Sequence, residues 1–321
     1  MALYPNYHTY CSVSFLRDIL AGSSYTSGWT QDAVVLRESL ERASKTVDAY
    51  IGGQTFGPTT ETRLYDLGGS QFNDQSLRFD PRYELPNSQT LNTYEFRNAI
   101  IPLDRWLLSP TTVTAYGDTA RSTSETLTEG IANDFLLEPY NQPGPKWRLK
   151  LTEETTKAFS SGQQVLSIAG TWGWSNEKTY GGTITGAISS TTAHELTVSA
   201  VSHSQGGVHG PGTTIEIDDE QMYCTAISST TLTVIRGVNG TTAATHSSSA
   251  AVSIYTYPSD VQMVTADIAR IQYRDRDMGV VETIGGGDQG AIQTRSAAET
   301  RSALTVLDHY FVSRDSAGLV F

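Results

Sequence analysis

The composition of the chain changes directly after LSIAGTWGWS, residues 166–175. The stretch is typical of a β-strand that runs into a turn. The sequence that follows is poor in charge and rich in Ser, Thr and Gly, until an amphipathic helix begins with PSDVQMVTADIARI after Tyr257. Residues 176–256 are therefore predicted to interrupt a domain rather than to follow one.

Helices are predicted on both sides of the interruption. Thr30 is a suitable N-cap for a helix that ends at Gly52 and Gly53, and a shorter helix is expected around residues 14–22. The inner face of the longer helix is predicted to consist of Leu36, Leu40, Ala43, Val47, Tyr50 and Ile51.

Two more helices are predicted after the interruption. Ser259 can cap a helix that ends near Gly279, and Ser296 with Glu299 forms a capping box for a last helix. The apolar faces of these two helices are predicted to contain Val261, Val264, Ile268 and Ile271 in the first and Leu304, Leu307 and Phe311 in the second.

The remaining sequence favours β-structure. β-branched and aromatic residues predict strands at residues 60–66, 111–117, 135–139, 146–151 and 163–170, and the interrupting segment reads as strand and turn throughout. The predicted fold class is α+β, with a helical core, a small antiparallel β region and an inserted all-β domain of sandwich or barrel-like form. The predicted domains are a first segment 1–175, the inserted β domain 176–256, and a second segment 257–321 with the C-terminal helix and tail.

A short repeat lies inside the inserted segment. AISSTTAHELTV begins at Ala187 and AISSTTLTV begins at Ala226. Each copy reads as strand, polar turn and strand, so either a duplicated hairpin or two independent uses of a favourable turn explains them. Alternation predicts that Met222, Cys224 and Ala226 point inward, as do Leu232 and Val234.

Charge and cysteine content exclude several classes of function. The formal net charge of −12 argues against binding to phosphates or to an anionic membrane surface. Cys11 and Cys224, expected in different domains, give no disulfide framework, which favours a reducing compartment. The N-terminus has neither the basic start nor the apolar run of a secretory signal.

The inserted segment contains the residues that invite a metal-site interpretation. His194, His203, His209 and His246 lie in it together with the acidic run of residues 216–220. Their spacing matches no known ligand signature, and the acidic run lacks the regular spacing of a calcium loop. We therefore expect no metal site, solvated loop histidines, and a charged turn at residues 216–220.

No enzyme signature is found in the chain. Trp172 and Trp174 are two residues apart and are expected in a small core rather than in a sugar site. The Asn239-Gly240-Thr241 sequon is expected to form a tight turn. We predict that the chain has no catalytic residues, no cofactor and no enzymatic activity.

The order of motifs resembles the head–tail connector, or adaptor, proteins of long-tailed double-stranded DNA bacteriophages. The segments that carry this resemblance are LERASKTVDAYIGG, TTETRLYD, IPLDRWLLSPTTVTAYGD, LLEPYNQPGPKWRL and GTWGW, followed by YPSDVQMVTADIARIQYRDRDMG. The resemblance covers residues 32–174 and 258–314. In the family the Pro-x-Asp-Val helix follows the Trp-Gly-Trp ending within a few residues, whereas here residues 176–256 intervene. The inserted segment, with TLTVIRGVNGTTAATH, faintly resembles small β modules of other phage neck and tail proteins.

The resemblance implies a structural protein of the virion neck that is assembled in the cytoplasm of the bacterial host. It implies a ring, of twelve copies, that docks beneath the portal protein and extends the DNA channel. Further implied partners are neighbouring copies and a neck, stopper, tail-terminator or tail-tube protein, without a membrane. An acidic wall suits a channel through which DNA passes without specific binding.

The chain ends in Leu319, Val320 and Phe321, an apolar tip on a loose tail. Because connector proteins that this chain resembles hold the portal through C-terminal segments, these three residues are predicted to dock on the portal. Folding of the tip back onto its own subunit is the alternative.

Two other functions remain open from the sequence. One is a carbohydrate- or receptor-binding phage structural protein that uses Trp172, Trp174 and the inserted β domain. The other is a hydrolase whose site has no recognisable signature.

Overall fold

The chain forms two compact units. The computed structural model describes residues 7–21, 29–67, 100–117, 120–152, 162–202, 208–277 and 295–310. One unit contains residues 1–59 and 176–313, and the other contains residues 60–175 and 314–321. The chain passes from one unit to the other between residues 59 and 60, between residues 175 and 176, and between residues 313 and 314. The predicted domains 1–175, 176–256 and 257–321 stay a prediction.

The unit of residues 60–175 contains a six-stranded antiparallel sheet. Its strands are β1 (Thr59–Leu67), β2 (Ile100–Tyr116), β3 (Ser124–Leu127), β4 (Phe135–Glu138), β5 (Lys146–Leu151) and β6 (Gly162–Trp172). The strand order is β1-β6-β2-β5-β4, and β3 pairs with β2. All five strands predicted for this region are confirmed, although β2 begins well before the predicted residue 111.

Strand β2 organises this sheet. It contains 17 residues, so it is long enough to pair with β6, β5 and β3 along its length. Its pairing register shifts directly after Pro102 and Pro110, because proline has no N–H group to donate to a neighbouring strand. Apolar side chains of all six strands form the core, among them Tyr65, Ile101, Leu107, Leu127, Phe135, Leu149, Ile168 and Trp172.

The other unit contains the four α-helices found in the described part of the chain. They are α1 (Val13–Ala21), α2 (Trp29–Tyr50), α3 (Ser259–Asp277) and α4 (Arg295–Leu304), and a 3-10 turn (Thr305–Tyr310) follows α4. The predicted inner faces are confirmed except at Tyr50, which is only half-buried, and Leu40, Val47, Val261 and Ile268 are completely buried. Phe311 lies outside the described residues.

The fold is mixed α and β, as predicted, but it is mostly β. Helices from before and after the strands pack together, with α3 lying against α2, α1 and α4. The predicted helical core is not confirmed. The two sheets contain more residues than the four helices, which form one part of one unit.

The interrupting segment forms a second six-stranded antiparallel sheet. Its strands are β7 (Lys178–Thr183), β8 (Glu195–Thr197), β9 (Thr214–Ile217), β10 (Glu220–Ser228), β11 (Thr231–Ile235) and β12 (Ala251–Tyr255). They are ordered β7-β12-β9-β10-β11-β8. The backbone directly after β7 pairs with the backbone directly after β8 at Ile184 and Val198. Thr185 N donates to Thr197 O at 2.9 Å and Ser199 N donates to Thr183 O at 2.8 Å. The two end strands are therefore joined, and the sheet closes into a small barrel.

The interior of this barrel is filled by apolar side chains. Its core contains Ile184, Ile188, Leu196, Val198, Ile215, Ile217, Met222, Cys224, Leu232, Val234, Val252 and Ile254. Met222, Cys224, Leu232 and Val234 were predicted to point inward. Ala226 was predicted inward as well, and this is wrong: the register of β10 shifts between Cys224 and Ala226, so Ala226 is exposed.

The two repeat copies do not form equivalent hairpins. The second copy is the β10–β11 hairpin, in which Ser228 pairs with Thr231. In the first copy Ile188 pairs with His246, and Leu196 pairs with Leu232 of β11. The structure therefore favours two uses of one turn sequence over a duplicated hairpin.

Both cysteines lie in the same unit, contrary to the expectation of different domains. Cys11 and Cys224 are free and buried. Burial raises the pKa of the Cys224 thiol to about 12. Neither thiol is therefore activated for chemistry.

Candidate functional site

The predicted portal-docking residues Leu319, Val320 and Phe321 lie outside the described residues, and their role stays a prediction. The last described residue, Tyr310, is buried. Its hydroxyl donates to Asp260 Oδ1 at 3.0 Å, and its ring packs edge-on against Phe56 with centroids 4.9 Å apart. The chain directly before the tail is thus held in place by contacts within the unit that contains the helices.

The histidines of the inserted segment do not converge on one point, and the expectation of solvated histidines is wrong for His209 and His246, which are buried. His209 Nε2 lies 2.5 Å from Gly181 O, whereas His246 contacts two carboxylates and His194 is exposed. His203 lies outside the described residues. Within the described ranges there is no group of three or more His, Cys, Asp or Glu side chains arranged to hold a metal ion.

A dense cluster of charged side chains in the barrel is centred on Glu220 and Arg236. Arg236 Nε donates to Glu220 Oε1 at 2.6 Å, and Nη2 donates to Oε2 at 2.7 Å. The Glu220 side chain is only 1% exposed and the Arg236 side chain only 4%. The guanidinium and the carboxylate thus form a bidentate ion pair with two parallel hydrogen bonds, the strongest geometry available to these two groups.

Three further groups fill the remaining acceptor positions of Glu220. Gly237 N donates at 3.0 Å, Ala244 N donates at 2.8 Å, and His246 Nε2 lies 2.9 Å away. The other ring nitrogen of His246, Nδ1, lies 2.7 Å from Asp218 Oδ2. Burial by itself raises the pKa of Glu220, but the hydrogen bonds from Arg236, Ala244 N and His246 outweigh it and lower the pKa.

Arg236 also connects the cluster to neighbouring loops. Its Nη1 donates to Ser190 O at 3.3 Å and to Ala193 O at 3.2 Å, and its Nη2 also donates to Ala244 O. The cluster therefore joins the loop before β8, the β9–β10 turn and the loop before β12. A carboxylate that is ionised, buried and surrounded by donors is a poor general base, so this arrangement holds loops together rather than moving protons.

The sequence contained a signal for this cluster that was not used. Leu232 and Val234 point inward, so alternation places Arg236 toward the inside as well. A buried arginine needs a carboxylate partner, and Glu220 is the buried member of the acidic run. The expectation of a charged turn is confirmed for Asp218 and Asp219, which connect β9 to β10, but Glu220 is not part of a solvated turn.

A second polar group, an amide pair, joins the barrel to the N-terminal part of the chain. Asn239 Nδ2 donates to Gln221 Oε1 at 2.8 Å, and both side chains are buried. Asn239 Oδ1 accepts from Tyr7 N at 2.8 Å, and Gln221 Nε2 donates to Pro58 O at 3.1 Å. The expected tight turn at the sequon is confirmed, since Asn239 and Gly240 have φ angles of 56° and 84°.

The tryptophans take structural positions. Trp172 is completely buried in the sheet of the other unit, its Nε1 donates to Glu61 O at 3.1 Å, and the guanidinium carbon of Arg63 lies 5.6 Å from its ring centre. Trp174 follows β6 and is half-buried, with its ring 4.9 Å from that of Trp106. The core interpretation is confirmed for Trp172, whose ring is not available to a sugar.

Comparisons with protein-family models, with curated proteins and with solved structures found no match. The resemblance to connector proteins thus stays an expectation from the order of sequence motifs. Among the described residues, no helix is long and apolar enough to cross a membrane.

Proposed function

We propose that this chain is a structural virion protein, a head–tail adaptor that forms a ring beneath the portal. In this role it extends the DNA channel and offers a docking surface to the next neck or tail component. The observation that carries the proposal is the contact between α2 and α3, which come from the two segments that the resemblance treats as one body. Tyr50 OH, at the end of α2, donates to Asp308 Oδ1 at 2.5 Å, so the last turn also joins this body.

The charges of the molecule support the same role. The buried pair in the barrel maintains the structure, and the net charge of −12 disfavours retention of phosphates. Repeated copies with such a charge would line a channel that DNA leaves without sticking. Burial of Trp172 gives no support to the glycan-binding alternative.

Electron microscopy of the purified protein, alone and mixed with the portal protein of the same phage, tests the proposal. We expect closed rings, or a collar on one face of the portal. A protein that stays monomeric at high concentration and leaves the portal bare would contradict the proposal.

The tail can be tested separately. Changing Leu319, Val320 and Phe321 together to Ser is expected to weaken portal binding without unfolding the protein, because burial of apolar side chains drives such docking. Ile131→Ser is the matched control, since Ile131 is an apolar side chain that is 78% exposed on a loop. Portal binding that is equal in the two variants would reject docking through the tail. A lower melting temperature of the isolated tail variant would indicate the fold-back alternative.

A further inference from the structure

Residues 7–13, here called the clamp, lie between the barrel and the helices of the same unit. The clamp precedes α1 and ends at its first residue. It is almost entirely withdrawn from solvent, with His8 2%, Tyr10 0% and Val13 1% exposed. A short extended segment with this burial needs partners on both sides for its backbone and side chains.

Tyr7, Thr9 and Val13 face the barrel. Tyr7 O accepts from Thr214 Oγ1 at 2.7 Å, and Tyr7 N donates to the Asn239 side chain. Thr9 Oγ1 donates to Gly212 O, and Val13 N donates to Pro211 O at 3.1 Å. The barrel side of the clamp is thus fixed at four points.

Tyr10 faces the helices. Its N–H donates to Ser44 Oγ of α2 at 3.2 Å, and its hydroxyl donates to Asp48 Oδ1 of α2. The same hydroxyl accepts from Phe56 N at 3.2 Å, while the Tyr10 and Phe56 rings pack edge-on at 5.3 Å. Withdrawal of the clamp would therefore separate contacts on two faces at once.

His8 is the side chain of the clamp that takes up a proton at mildly acidic pH once it is released into solvent. Its Nε2 lies 2.9 Å from Pro58 O, which can only accept, so Nε2 carries the proton. Nδ1 lies 2.9 Å from the hydroxyl of Tyr257 and accepts from it in the neutral ring. A second proton would have to enter at Nδ1, where it would remove this acceptor.

The surroundings of His8 disfavour the charged ring. The rings of Tyr255 and Tyr257 lie edge-on to it, 5.8 Å and 6.1 Å away. Asp48, whose carboxylate would favour a charged ring, accepts a hydrogen bond from the Tyr10 hydroxyl. Gly57 lies directly against the imidazole, where even a Cβ atom would come within 2.4 Å. Burial lowers the pKa of His8 to about 4, with the bond to Pro58 O acting in the opposite direction.

We propose that residues 7–13 are an acid-released clamp, which leaves its slot when His8 takes up a proton while the barrel remains closed. The barrel has its own ring of backbone hydrogen bonds and its own core, neither of which includes the clamp. This inference rests on the geometry of one unit and does not depend on the proposed function.

The chain contains its own pair of probes for this proposal. Cys11 lies in the clamp and is 5% exposed, whereas Cys224 lies in the barrel core and is completely buried. Both thiols of the full-length protein can be labelled with dithiodipyridine, a reagent that reacts at acidic pH, and located by peptide mass mapping. Each rate is divided by the rate for the denatured chain at the same pH.

The Cys11 rate is expected to rise about twentyfold between about pH 7 and about pH 5, because the released clamp binds a proton with the ordinary histidine pKa. The Cys224 rate should stay constant. His8→Gln should abolish the rise, since its amide can donate to Pro58 O and accept from Tyr257 but takes up no proton. His194→Gln, which removes an exposed histidine of the barrel, should preserve it.

A constant Cys11 rate, a parallel rise at Cys224, or a rise that persists in His8→Gln would each overturn the proposal. If His8→Gln does not fold, amide exchange in the unaltered protein decides. Exchange at Tyr10 N and Val13 N must then accelerate on acidification relative to Cys224 N, which donates to Thr213 O inside the barrel. Equal acceleration at all three amides contradicts clamp release.

Discussion

Glu220 and Arg236 meet through two parallel hydrogen bonds, 2.6 Å and 2.7 Å long, and almost no part of either side chain reaches solvent. Each charge is tolerated inside the barrel because the other one is present. Removal of one partner leaves the other buried without compensation, which costs far more than the net contribution of the intact pair.

Arg236→Ala is therefore expected to lower the free energy of unfolding by roughly 3–5 kcal/mol. The control is Arg270→Ala on α3, because Arg270 pairs with Asp267 at 3.0 Å with both side chains more than a third exposed. That exposed pair should contribute about 0–1 kcal/mol. Chemical denaturation of the two variants and the unaltered protein measures the free energies of unfolding. Equal decreases in the two variants would show that the buried pair contributes no more to stability than the exposed pair.

Glu220 also predicts a change of stability with pH. Its pKa is lowered in the folded protein, so the folded chain binds fewer protons than the unfolded chain near that pKa. The stabilisation is complete above the ordinary glutamate pKa and is lost as the pH falls through the folded value. The stability difference between the unaltered protein and Glu220→Gln should therefore shrink below about pH 4.5. Denaturant titrations across the acid range measure this, and a constant difference would contradict it.

Gly57→Ala is expected to be strongly destabilising. The added Cβ would lie 2.4 Å from the His8 ring, which is held from both of its nitrogens and cannot retreat. Overpacking of this kind costs about 1–3 kcal/mol. Gly186→Ala is the control, because a Cβ there meets nothing within 4 Å. Thermal melts should show a clear loss for the first variant and little change for the second; the reverse order would mean that the clamp yields easily.

Residues 176–256 are expected to fold when produced alone. The six strands pair with one another, the ends of β7 and β8 are joined, and the core consists of side chains from this segment only. The isolated segment should show a β-type circular dichroism spectrum and a cooperative melt. The same segment with Arg236→Ala should lose that transition. A spectrum of an unfolded chain for the unaltered segment would show that the barrel needs the clamp and α2 to form.

The protein is expected to show no binding of duplex DNA at physiological salt up to about 10 μM protein, because few phosphate contacts are possible for a strongly acidic chain. A gel-shift titration at two salt concentrations, with a basic DNA-binding protein as positive control, measures this. Tight binding that weakens steeply with salt would contradict an inert channel wall.

Sequence periodicity predicted the buried positions correctly where helical spacing or strand alternation was the only local influence. The faces of α2 and α3 followed from helical spacing, and the inward positions of Leu232 and Val234 followed from strand alternation. Prediction was wrong or incomplete where a local feature competed. The first half of β2 was not predicted because it contains Pro102 and Pro110, and proline normally indicates that a segment is not an inner strand. In the structure, shifts of the pairing register accommodate both prolines.

Long-range pairing could not be read from local patterns. Alternation turns Arg236 inward but does not identify Glu220 among the acidic residues as its partner, and nothing in YHTYC indicates that His8 is buried against Pro58 and Tyr257. These contacts join residues far apart in the chain. They depend on how the barrel and the helices are assembled, which composition and spacing do not specify.

The joining of β7 to β8 has a consequence for behaviour in crowded solution. An open sheet presents a row of unpaired backbone groups that can template the addition of a strand from another molecule, and natural proteins often protect such edges with lysine or proline. Here the ends of β7 and β8 pair with each other at Ile184 and Val198, so this part of the two edges is not free to pair with a strand of another molecule. The scarcity of charge in residues 176–256, the first sign of a change in the sequence, is therefore a composition that this segment can carry without inviting aggregation.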